Sequence, residues 1–172
     1  MASQRSVTFF TCLVMAAGLA GAAPAATGTP PVHKLSAASH GATVPARLFT
    51  FCRTLAEPGG VGTGLCSDGI PSATAKRLLV HPRGSVLIAV GAPVTSFSAR
   101  YAGAEGASAG RALKVTRLGS GRRRFRISLP ASRPGALLLV STTYRNVPTA
   151  DGKRDSGDAH FSVGLRRHRH VR

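Results

Sequence analysis

A period of two in hydrophobicity constrains this chain more than any other feature. Between residues 124 and 129, Phe125, Ile127 and Leu129 alternate with Arg124, Arg126 and Ser128. In an extended strand this sends one set of side chains to a core and the other to solvent. Just upstream, Leu113 and Val115 alternate with Lys114 and Thr116, and Gly119, Ser120 and Gly121 between the two runs have turn chemistry. A loop of those three residues sets Val115 opposite Phe125 and Leu113 opposite Ile127, so inward residues meet inward ones, whereas a slip of one would pair core with solvent positions. The same register sets Lys114 opposite Arg126 and Arg124 opposite Thr116.

Further strands are expected at 47–53, 77–80, 85–90, 94–101, 136–144 and 159–165. In the last, Phe161, Val163 and Leu165 face one way and His160, Ser162 and Gly164 the other. Residues 137–140 are apolar on both faces, which places them centrally. Gly and Pro breakers at 82–84, 91–93 and 130–135, and a polar stretch at 146–158, separate the strands. With almost no amphipathic stretch of helical length, the pattern predicts an all-β sandwich of about seven or eight antiparallel strands.

The chain opens with Arg5, then the apolar run 7–23, then small residues, the order of a signal peptide. Cleavage is expected after Ala25 or Ala26, and a retained signal anchor at the outer face of the plasma membrane is the alternative. The organisation expected is a signal peptide at 1–26, a flexible Pro-, Ala-, Ser- and Gly-rich linker at 27–43, the β-domain at 44–165 and a basic tail at 166–172. Cys52 and Cys66 remain after processing, and in an oxidising compartment they are expected to form one disulfide. The 15-residue loop so closed is worth roughly 3 kcal/mol by chain entropy.

The runs GSVLIAVGAPV (84–94), GRRRFRISLP (121–130) and GDAHFSVGL (157–165) resemble the small immunoglobulin-like β-sandwiches exported by high-GC Gram-positive bacteria, over roughly residues 45–168. The resemblance implies an immunoglobulin-like topology and a role in binding or scaffolding. The chain departs from antibody domains in having no Trp, and its cysteines are too close in sequence for the inter-sheet bridge.

Lys and Arg number 23 against six acidic residues, a formal charge of +17 of which the signal carries only Arg5. Such a field points to anionic partners: phosphate-bearing envelope polymers, anionic lipid surfaces or extracellular DNA. The plainer account is a solvated cationic face that maintains solubility. The candidate anion-binding residues are Lys114, Arg122, Arg123, Arg124 and Arg126 in the hairpin, and Arg166, Arg167 and Arg169 in the tail. Sequence-specific nucleic-acid recognition is not expected, because the aromatic residues fall mostly at core positions rather than among the basic ones.

No catalytic or metal constellation stands out, and no cofactor is expected. Residues 106–110 spell G-x-S-x-G around Ser108, but without the strand-then-helix context of a nucleophile elbow. Asp151, Asp155, Asp158 and His160 offer oxygens for Ca²⁺ at a spacing unlike an EF-hand, which favours a polar turn. Glu57 and Glu105 both sit in Gly-rich loops. A zinc site joining the cysteines to His33 and His40 lacks paired C-x2-C spacing. The expected function is thus that of a secreted, monomeric, non-catalytic binding or envelope-associated module. A hydrolase or metal-dependent enzyme, or a protein-recognition domain using an exposed strand edge, are the alternatives.

Overall fold

The alternation becomes strands throughout. The computed structural model describes residues 33–56, 60–103, 110–130 and 137–167. They contain β1 (Leu35–Ser39), β2 (Ala42–Pro45), β3 (Arg47–Ala56), β4 (Gly62–Ser67), β5 (Leu78–Val80) and β6 (Ser85–Val90). These are followed by β7 (Ser96–Ala102), β8 (Arg111–Ala112), β9 (Val115–Leu118), β10 (Arg124–Ser128), β11 (Leu137–Pro148) and β12 (Arg154–Arg167). Five form one sheet in the order β2-β1-β6-β10-β9. The larger sheet runs β4-β3-β12-β11-β7-β8, with β5 added in parallel against the end of β12. All other pairings are antiparallel.

The two sheets pack on a shared apolar core. Val86, Ile88, Phe125 and Ile127 from the smaller sheet meet Leu138, Val140, Phe161 and Val163 from the larger, all buried. Phe97 of β7 and Phe125 of β10 stack across the gap with ring centroids 3.9 Å apart. A second, smaller cluster of Ala102, Leu137 and Leu139 lies on the other face of the larger sheet, with Phe49 and Ala73 packed on it. The β4–β5 connection crosses that face, held where Ser162 Oγ donates to the Ser72 carbonyl at 2.7 Å. This explains why β11 is apolar on both sides.

Among the described residues twelve strands replace the seven or eight expected: β4 and β8 are additional short strands, and β1 and β2 arise because the N-terminal stretch is not a linker in its described part. Residues 35–45 form a hairpin whose Leu35, Ala37 and Val44 are 5, 0 and 1 % exposed. His40 and Gly41, with φ of 48° and 77°, make the two-residue turn of positive φ that suits strand twist. The described domain therefore starts before residue 44. At the other end β12 continues through Arg166 and Arg167, which pair with Leu79 and Val80 rather than opening a tail at 166. The signal peptide, Ser108, Glu57, Glu105 and Arg169 lie outside the described residues.

The β9–β10 hairpin forms, but its register is displaced by two residues. Ile127 faces Val115, Phe125 faces Arg117, Arg126 faces Thr116 and Arg124 faces Leu118. An even shift preserves faces, so Phe125 and Ile127 are buried and Arg124 and Arg126 exposed as expected. The loop is longer because its second half pairs elsewhere: the Arg123 carbonyl accepts from Val90 N–H at 2.8 Å and the Arg122 carbonyl from Val94 N–H at 3.1 Å. Lys114 consequently does not lie opposite Arg126. Likewise the stretch 146–158 is mostly strand: a bulge between Tyr144 and Val147 takes in Asn146, at φ 53°, and only residues 149–153 turn, between β11 and β12.

Candidate anion-binding face and a buried polar cluster

The outer face of the five-stranded sheet follows from the pairings. One row across it reads Leu118, Arg124, Ala89, Ser36 and Pro45, and the next Thr116, Arg126, Leu87, Ala38 and Thr43. Arg124 and Arg126 are two residues apart on one strand, which spaces their Cα atoms by about 7 Å. Lys114 sits beside them, its carbonyl accepting from Ser128 N–H at 3.0 Å. Arg122 and Arg123 occupy the turn at the hairpin's end. All five basic residues are exposed.

None of the five strands of this sheet contains Asp or Glu. The described carboxylates, Asp68, Asp151, Asp155 and Asp158, all belong to β12 or to segments adjoining β4 and β11. The small sheet therefore presents positive charge without internal neutralisation. Its small neighbours, Ser36, Ala38 and Ala89, leave the two guanidinium groups standing above a low surface. Arg166 lies in the larger sheet, apart from this group, and nothing is described of the Arg167 side chain.

A second polar assembly lies inside. β3 turns Phe51, Arg53 and Leu55 inward, and β12 turns Asp155 toward them. Asp155 is fully buried with Oδ2 3.3 Å from Arg53 Nη2. Burial raises the Asp155 pKa against the opposing pull of Arg53. Tyr144 Oη lies 3.4 Å from His33 Nε2, and the His33 ring leans on Phe51 at 4.6 Å. Burial, and then the nearby Arg53 charge, lowers the His33 pKa to about 4, so this imidazole is neutral at physiological pH. Burial also pushes the Tyr144 hydroxyl well above its ordinary value.

Sequence reasoning passed over this cluster. The signal was present as charges at inward parity, Arg53 between Phe51 and Leu55, and Asp155 in phase with Ala159 and Phe161. It is legible only once β12 is known to begin at Arg154. The same parity removes the calcium arrangement, because Asp155 points inward while Asp158 and His160 lie on the opposite face of β12.

Cys52 and Cys66 form the expected disulfide between directly opposed positions of β3 and β4, with Cα atoms 4.1 Å apart. Both are exposed on the outer face. With their sulfurs joined, and His33 and His40 at opposite ends of β1, the four cannot converge on zinc; the described residues hold no group of three or more metal-ligating side chains. On the outer face of β12, His160 Nδ1 meets Ser141 Oγ at 2.9 Å. This is the reverse of the triad arrangement, in which Nε2 meets the serine and Nδ1 the carboxylate. No described helix is long and apolar enough to cross a membrane.

Compared with known proteins, the chain matches no family model, no curated protein and no solved structure.

Proposed function

We propose that this chain is an exported, non-catalytic binding module that attaches electrostatically to anionic polymers of the cell envelope through the outer face of its five-stranded sheet. The observation that carries the reading is the absence of negative charge: Arg124 and Arg126, with Lys114 just before β9, lie on a sheet whose strands hold no carboxylate. The exposed disulfide fits an oxidising compartment. An immunoglobulin-like domain acting as a monomer is the architecture we assign to it, on the strength of two antiparallel sheets enclosing one core.

The test is retention on immobilised polyphosphate as a function of NaCl. Contacts of this kind release counterions, so affinity should fall steeply and linearly on logarithmic axes, and the Arg124→Ala/Arg126→Ala variant should show a slope shallower by about 1 to 2. Retention that ignores salt, or a variant indistinguishable from the parent, removes the proposal.

One observation favours a second reading, recognition of a partner strand. β4 is an edge strand exposed at all its positions, and Val61, Leu65 and Ile70 around it are 78, 55 and 74 % exposed. Such an edge is open to strand addition. Protection of β4 amides from hydrogen exchange by a bound peptide would support it.

A further inference from the structure

The displaced hairpin register has a chemical consequence at the open side between the two sheets. Arg117, on the edge strand β9, shares the inward parity of Val115, and the displaced register sets it opposite Phe125 instead of Arg123. There a slot of about 280 Å³ opens, walled by Val94, Val115 and the stacked pair Phe97 and Phe125, with Arg117 and Arg122 also lining it. The two rings stack face to face, parallel to within 11°, so they border the slot as one apolar pair. The backbone of Arg122, at φ 51°, is held beside the slot by its carbonyl's bond to Val94 N–H, and its side chain is exposed.

Two guanidinium-bearing residues thus meet an aromatic wall in a slot whose lining holds no carboxylate. Guanidinium groups recognise carboxylates by charge-assisted and often bidentate hydrogen bonds. The apolar wall would take the remainder of the ligand, and the volume, just under the ordinary range of about 300–1,000 Å³ for drug-sized sites, restricts that remainder to about one ring. We infer that this slot binds a small aromatic carboxylate, with the ring against Phe97 and Phe125 and the carboxylate between Arg117 and Arg122. The site shares Arg122 with the basic hairpin, but its aromatic pair and Arg117 lie on the interior side, so it does not depend on polymer binding by Arg124 and Arg126.

An inward-pointing charge on an edge strand also guards against edge-to-edge association, and the experiment separates the two roles. The full chain is titrated with 3-phenylpropionate, with its uncharged amide and with propionate, following backbone amides and Arg side-chain Nε–H signals by NMR. Binding of 3-phenylpropionate at least tenfold tighter than either control, with shifts centred on Phe97, Val115, Arg117 and Phe125, is the expected result. Arg117→Gln, which retains a polar edge, should weaken it at least fivefold, and Arg124→Ala/Arg126→Ala should leave it unchanged. Equal binding of the amide, or no shifts at millimolar probe, overturns the site. So does an Arg117→Gln protein that self-associates while the parent ignores the probe.

Discussion

Arg53 and Asp155 form an ion pair where the fold could have placed two aliphatic side chains. Removing two charges from water costs several kcal/mol per ion, so such a pair adds little net stability while making each member dependent on the other. Asp155→Ala, which leaves Arg53 without its partner, should destabilise the domain by about 3–5 kcal/mol in chemical denaturation. Arg53→Met/Asp155→Leu should recover most of that loss. A double variant no better than Asp155→Ala would show that the pair is needed for more than neutralising its own charges. Beside it, Gly157 has no room for a side chain, because an added Cβ would collide with the Cys52 carbonyl oxygen and the Arg53 Cα. Gly157→Ala should therefore force β12 away from β3 and abolish the cooperative unfolding transition or lower its midpoint sharply.

Among the elements, β4 is the one held most lightly. All its residues are exposed, so its attachment rests on the ladder to β3 and on the disulfide. Cys52→Ser/Cys66→Ser should cost about 3 kcal/mol if the bridge acts by restricting the unfolded chain. Because β4 buries nothing, the same variant should also lose hydrogen-exchange protection in β4 before the rest of the larger sheet. Uniform loss across both sheets would contradict this local picture. β6 was legible from residue 85 to 90 because a continuous apolar run lies between the breakers at 82–84 and 91–93, even though Leu87 faces outward. β1 was not, because its inward positions are Leu35, Ala37 and Ser39, small enough to pass for linker composition. The faces of β10 could be deduced from its own residues, but its partners could not. Parity fixes which side a residue takes, whereas register depended on Val90 and Val94 capturing the loop's carbonyls, a tertiary event that local pattern does not encode. The exposed basic face was accessible by the same reasoning, since Arg124 and Arg126 sit in the clearest strand. The interior cluster was hidden because 146–158 reads as one long breaker, whereas only 149–153 turn and β12 begins at Arg154.

At the scale of the molecule, the excess of positive charge destabilises the compact state by self-repulsion, and protonating histidines adds to it. His33 sets the direction of that dependence because it is buried and neutral in the fold. Its pKa is about 4 when folded against an ordinary 6.5, so as pH falls the unfolded chain takes up the proton first. Stability from this group is complete above about pH 6.5, declines through the interval down to about 4, and by then has dropped by roughly 3 kcal/mol. Asp155 acts in the opposite sense. Its raised folded pKa means that the folded state gains a proton ahead of the unfolded one as pH falls toward 3.8, which offsets part of the loss. Thermal unfolding from pH 7.5 to 4 should thus show a decrease in Tm beginning near 6.5, with His33 contributing on the order of 10 °C at the acid end. His33→Phe keeps a ring against Phe51 while removing the titrating group, and it should flatten the decrease. A variant whose Tm falls with pH as steeply as the parent would place the acid sensitivity in the surface charge, and would show that the His33 ring takes up its proton without strain on the fold.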